Sequence, residues 1–311
     1  MEPPMSLPIE EIITTLSSPD KSLSGSMLAQ LSNLSPEELT PLEQAWETIE
    51  TQRRRQIISR LVELAEDNFE LNFDSIFKSR LKDTDDEVRS TAIEGLWESE
   101  DASLIEPLIS LLEKDSSENV QTAAATALSK FALLAELKKL RPSHKSKISQ
   151  ALITIINDKN RPSEVKRRAL EAAAPLSLPE MKKAIMEAYQ SDNLKMKISA
   201  IFSMGRSCNR SWLPILLREL TNSDVEIRYE ATSACGELGE KEAVPYLIEL
   251  INDPDIEVRL AAIRALGKIG APEAKGCLEQ CLGNPDEAIQ QAAEEALYEL
   301  EVGEEPLSFR F

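Results

Sequence analysis

The stretch "NSDVEIRYEATSACGELG" at 222–239 returns as "DPDIEVRLAAIRALGKIG" at 253–270, thirty-one residues later. The interval reaches well beyond this pair. With Val258 as anchor, steps of 31 lead back to Ile227, Met196 and Val165 and forward to Ile289. From Val165 the next step back is 45, to Val120; steps of 32 and 31 then reach Val88 and Ile57. A period of this length marks a stack of supersecondary units, each too small to bury its own apolar face and therefore dependent on its neighbours.

The columns around the anchors describe one half of the unit. Five residues before each anchor stand Asp83, Asp115, Asn160, Ser191, Asn222, Asp253 and Asn284, all capping or turn-forming types. One residue after it stand Arg89, Gln121, Lys166, Lys197, Arg228, Arg259 and Gln290, all long and polar. Four after it the residue is alanine every time: Ala92, Ala124, Ala169, Ala200, Ala231, Ala262 and Ala293. Seven after it stand Gly95, Ala127, Ala172, Ser203, Ala234, Ala265 and Ala296. Anchor, +4, +7 and +8 share one helical face, and small residues there let helices approach closely. Gly239 and Gly270 are placed to end their helices as C-cap glycines. On this register Ala231 and Ala262 are buried between helices, and the +3 residues Ser199 and Ala261 lie off the packed face and tolerate larger side chains.

The other half is a second amphipathic helix. "EAVPYLIELIND" (242–253) puts Val244, Leu247, Ile248 and Ile251 on one stripe, and 211–222 and 103–115 follow suit. Pro245, Pro214 and Pro107 fall near the start of these helices, where the missing N–H has no helical partner to lose.

The 253–270 stretch, with "AVPYLIELI" before it, resembles the HEAT repeat in the short form also found in phycobilisome lyases. The chain as a whole resembles uncharacterised bacterial HEAT-repeat proteins. The resemblance implies an all-α fold: a right-handed α-α superhelix (a HEAT-repeat solenoid, armadillo-like) of about nine helix pairs without β-sheet. It further implies that the second helix of each pair lines a concave surface, and that the Asp/Asn and the following Arg/Lys bond between neighbouring repeats. The expected organisation is a single solenoid over 1–311. Within it 1–71 are divergent N-terminal repeats, with Leu61 and Leu64 in the small-residue columns. Regular repeats occupy 72–130 and 148–300, an insert occupies 131–147, and 301–311 form a tail whose last six residues are a poor helix. The insert is expected to emerge as a loop carrying Lys138, Lys139, Arg141, His144, Lys145 and Lys147.

The formal net charge is −19, which repels phosphate backbones, so nucleic acid is not an expected partner. A DNA-glycosylase-like reading, with Trp97, Trp212 and Phe202 as aromatics, fails on the same charge. No apolar run reaches the length of a membrane span, and "MEPPMSLPIEE" has no signal-peptide pattern. Four cysteines without CxxC spacing read as reduced thiols of a cytoplasmic protein. Phosphate loops and HExxH are absent, and one histidine, His144, supports neither a triad nor a metal set. The HEAT enzyme deoxyhypusine hydroxylase binds iron through His-Glu pairs; this chain has none. No cofactor or metal is expected. The alternative functional reading is a phycobilin-lyase-like protein acting on a tetrapyrrole–protein pair.

What remains is a non-enzymatic scaffold or adaptor that binds a partner protein, of basic or mixed surface, along the concave face. The columns at +2, +3, +6 and +10 avoid the packed face. They bring together Ile198, Phe202, Tyr229 and Leu260 as an apolar patch, flanked by Arg167, Arg206, Arg228 and Arg264. Aromatic anchors rimmed by arginine make an expected protein-binding hot spot.

Overall fold

The computed structural model describes residues 8–304. Helices α1 (Ile9–Leu16), α2 (Gly25–Leu28, continued by a 3-10 turn), α3 (Pro36–Trp46), α4 (Thr51–Asp67), α5 (Asp74–Arg80), α6 (Asp86–Gly95), α7 (Ile105–Lys114), α8 (Glu118–Glu136) and α9 (Pro142–Asn157) come first. Then follow α10 (Ser163–Ala173), α11 (Pro179–Tyr189), α12 (Leu194–Arg206), α13 (Leu213–Glu219), α14 (Val225–Leu238), α15 (Val244–Leu250), α16 (Ile256–Ile269), α17 (Pro272–Cys281) and α18 (Glu287–Glu304). Among the described residues these are eighteen helices and no strand, nine helix–turn–helix pairs in chain order. Contacts divide the chain into two compact units, 1–155 with 160–165, and 156–159 with 166–311. In the first, α4, α6 and α8 pack side by side; in the second, α12, α14, α16 and α18 do so.

Four of the second helices, α6, α12, α14 and α16, begin the same way. The residue three before the anchor is the N-cap: Asp85, Asn193, Asp224 and Asp255 each accept the anchor's own N–H. The residue five before it takes the turn-forming one of the two roles expected of it. Asp83, Asp115, Asn222 and Asp253 each accept the N–H two residues on, at 2.9 Å, closing the turn before the cap. At the other end Gly239 (φ 73°) and Gly270 (φ 69°) adopt the left-handed conformation expected of C-cap glycines. First helices such as α13 and α15 start from a 3-10 turn and carry their proline in the first turn.

All seven alanines at +4 are fully buried. A further small column appears only in three dimensions. Gly205, Gly236 and Gly267 face Ala234, Ala265 and Ala296 of the following repeat, and a Cβ on any of these glycines would lie within 3.0 Å of the opposing alanine. Neighbouring backbones therefore approach as closely as sterics allow.

Three expectations change. Ser199 is fully buried and Ala261 is only 4% exposed, so neither of these +3 positions is tolerant. The second helix is covered by its own pair mate and by second helices on both sides, which widens the packed face beyond the anchor/+4/+7/+8 stripe. The 131–147 insert is mostly helix. Phe131, Ala132, Leu134 and Ala135 extend the buried stripe of α8 through another turn, the chain reverses at Leu137–Arg141 with Lys138 at φ 60°, and His144 lies in α9. Helix α18 runs to Glu304, past the expected boundary at 300; the reading of the last six residues as a tail lies outside the described residues.

Gly236→Ala should destabilise the protein by about 1–3 kcal/mol through overpacking against Ala265. Gly276→Ala, in α17 with open space at its Cβ, should instead stabilise by about 0.5–1 kcal/mol. Urea melts of the two variants should move in opposite directions; parallel shifts would contradict the close-approach column.

Candidate protein-binding face

In both units the turns that lead into the second helices are tied by a ladder of polar bonds. In five repeats the residue after the anchor donates back to the carbonyl of its own turn: Arg89 to Asp83 (2.8 Å), Gln121 to Asp115 (2.6 Å), Arg228 to Asn222 (2.9 Å), Arg259 to Asp253 (2.9 Å) and Gln290 to Asn284 (2.6 Å). Arginine can also reach forward to the next repeat. Arg89 grips Asp115 with two bonds of 2.8 Å, and Arg228 grips Asp253 with bonds of 2.9 and 3.0 Å. Hydrogen bonding to Asp253 raises the Arg228 guanidinium above its ordinary value. Burial alone would raise the Asp253 carboxyl, but Arg228 and the Asp255 N–H outweigh it and hold it below its ordinary value.

Where the ladder residue is neutral, a substitute carboxylate serves. Asn222 replaces the aspartate, and Glu219, nearly fully buried, collects Tyr189 Oη–H, Asn222 at 2.6 Å and the Lys197 ammonium at 3.3 Å. In the first unit Asp83 accepts Trp46 Nε1–H and Arg54, both at 2.6 Å, because the +1 position of that divergent repeat is Ile58.

The expected patch is only partly on the surface. Ile198, Phe202 and Tyr229 are half-buried and lie on adjacent helices. Leu260 is buried at 8% exposure, because its column on α16 is closed over by packing. Three of the four arginines are committed within the chain. Arg228 belongs to the ladder. Arg167 bonds Glu171 at 2.8 Å and Ser199 at 3.1 Å. Arg206 pairs with Glu237 at 3.6 Å, and Glu237 also holds Lys268. Arg264 is exposed, with no carboxylate partner among the described residues. Trp212 is core and Trp97 is exposed.

One residue on this face escaped sequence reasoning. Glu230, at +3 of α14, is half-buried and makes no hydrogen bond or ion pair among the described residues. Burial, with help from the Glu171 and Glu237 charges, raises its carboxyl from 4.5 to about 7. Its sequence signal was slight: glutamate stands where the neighbouring repeats have Ser199 and Ala261. The basic turn is partly spent as well. Lys145 pairs with Glu136 at 2.8 Å and Lys147 with Glu106, while Lys138, Lys139 and Arg141 remain exposed.

Other chemistry is sparse. The four cysteines are free thiols, and burial pushes Cys235 up to about 12. Among the described residues no group of three or more His, Cys, Asp or Glu could hold a metal ion, and no helix is long and apolar enough to cross a membrane.

Residues 75–174 and 213–298, more than half of the chain, match the family model for HEAT repeats, and the chain belongs to the HEAT-repeat family. The interval between the matches holds α11 and α12, with Ile198 and Phe202. No curated protein matches the chain. Among solved structures it is similar to an engineered protein at 19% identity, over 94% of this chain and 88% of the other, with a TM-score of 0.41. It is similar to a designed armadillo repeat protein at 18% identity, over 63% and 99%, with a TM-score of 0.39. It is similar to human deoxyhypusine hydroxylase in complex with glycerol at 18% identity, over 94% and 96%, with a TM-score of 0.33. No activity is carried over from these likenesses.

Two stability outcomes follow from this geometry. Arg228→Met should cost on the order of 2–3 kcal/mol, because it strands the nearly buried Asp253 carboxylate, whereas Arg264→Met should stay within about 0.5 kcal/mol of the parent. Glu230 works in the opposite sense. Its raised folded value means stability falls as pH rises from 4.5 to about 7, since the folded form keeps a proton that the unfolded chain has released. Glu230→Gln should therefore stabilise the protein near pH 8 by about 1–2 kcal/mol, allowing for partial solvent screening, and leave it unchanged near pH 4. Thermal denaturation at the two pH values checks this; a stabilisation that persists at pH 4 would contradict it.

Proposed function

We propose that this chain is a non-enzymatic scaffold that binds another protein on the face formed by α12, α14 and α16. The observation that carries the reading is the juxtaposition of Phe202 and Tyr229. They are half-buried aromatic side chains on adjacent second helices, one from the +6 and one from the +2 column. Repetition of one stacked unit supplies an extended, preorganised surface, and such surfaces bind mainly through a few aromatic anchors. Ile198 adds apolar area one turn from Phe202, and exposed Arg264 adds a cation at the rim. Leu260 and Arg228 contribute from behind, as support rather than contact. Membership in a repeat family that is generally protein-binding supports this reading.

Pull-down followed by quantitative binding with the recovered protein tests it. The double variant Phe202→Ala/Tyr229→Ala should stay folded and lose at least about thirtyfold in affinity, the equivalent of about 2 kcal/mol. Undiminished binding by the folded variant would move the site to Lys138, Lys139 and Arg141 at the α8–α9 turn, with charge reversal there as the follow-up.

A further inference from the structure

The carboxylates of the second unit fall into two groups when their partners are traced. Glu171 holds Arg167 and Arg168, Glu237 holds Arg206 and Lys268, Glu219 holds Lys197, and Asp253 holds Arg228. Glu230 holds nothing among the described residues, although it is half-buried in the middle of the α12–α14–α16 face. Arg167, Lys197, Arg206, Arg228 and Lys268 are engaged by other carboxylates, and Arg264, exposed on α16, forms no ion pair with Glu230. The charges felt most strongly at Glu230 are those of two more carboxylates, Glu171 on α10 and Glu237 on its own helix. A desolvated, like-charged and unbonded carboxylate is costly to keep, so it marks a place where a ligand cation completes the site.

We propose that Glu230 receives a lysine or arginine side chain of an extended segment of the partner protein. The proposal rests on the α12–α14–α16 face being the binding surface. The surroundings fit that occupant. Phe202 occupies on α12 the register position from which Glu171 on α10 bonds Ser199, the residue matching Glu230, so its ring stands beside Glu230. An aliphatic stem packs on aromatic rings while its charged end reaches the carboxylate. An acidic or neutral segment meets no such complement here. The net charge of −19 adds long-range attraction for a basic segment. Because the cation binds the ionised carboxylate, affinity falls as pH drops below about 7.

The test uses the full chain and a random short-peptide library, selected near pH 8, with affinities of the enriched peptides read by fluorescence anisotropy. The expected outcome is enrichment of peptides with Lys or Arg beside apolar residues. Their affinity should fall about tenfold between pH 8 and pH 6, and Glu230→Gln should weaken them by at least about tenfold and flatten that pH dependence. Enriched peptides without a basic residue, or basic peptides that bind the folded Glu230→Gln protein undiminished, would overturn the proposal. Phe202→Ala/Tyr229→Ala separates it from the reading beneath it. Loss of binding in that variant, with Glu230→Gln unaffected, sinks only the role of Glu230; full binding by that variant, or no enrichment at all, sinks the binding face itself.

Discussion

Close approach between the second helices of adjacent pairs governs the rest of the structure. Fully buried alanines at every +4 position, and glycines at 205, 236 and 267 opposite alanines of the next repeat, leave room for backbone against backbone and nothing larger. At that distance many weak dispersion contacts add up, and a single methyl group in the wrong place forces a backbone to move. The same geometry sorts the remaining columns. Positions pressed between helices must be small, and partial access to solvent is left to +2, +6 and +10 and, at Glu230, to +3. The half-buried state of Ile198, Phe202 and Tyr229 follows from this sorting.

Such tight packing leaves little space for misaligned polar groups, so the turns must satisfy themselves. One aspartate or asparagine does two things at once: its side chain closes the turn, and its backbone carbonyl takes the arginine or glutamine that follows the anchor. Where that arginine meets an aspartate in the next repeat, it also ties the two repeats together, as Arg89 does with Asp115 and Arg228 with Asp253. The arrangement tolerates sequence drift because the carboxylate can come from elsewhere. Glu219 serves in place of Asn222, and Arg54 and Trp46 serve where Ile58 cannot. The ladder holds Arg228, and Glu171 and Glu237 hold Arg167 and Arg206, which leaves few basic side chains near the α12–α14–α16 face for a partner.

Glu230 runs against this economy. Its environment penalises the charge it carries, and no partner within the chain relieves the penalty. Residues that lower stability without structural compensation tend to be found where a protein binds something. The register that sets Phe202 of α12 beside Glu230 of α14 makes the acid and the apolar patch parts of one surface rather than two features.

Much of the architecture was legible in the chain. The 31-residue interval, the invariant alanine at +4, the prolines of the first helices and the C-cap glycines specify stacked helix pairs, because periodicity and backbone preference are local properties that residue type alone carries. Two compact units, the extra turn of α8, the burial of Ser199, Ala261 and Leu260, and the engagement of Arg167, Arg206 and Arg228 were not legible. Each depends on which neighbour lies across an interface, and a one-dimensional pattern ranks positions around a helix without saying how many of its sides are covered. For the same reason Glu230 looked like an ordinary surface glutamate in the sequence: only tertiary packing removed its water, surrounded it with like charge and left it without a cation.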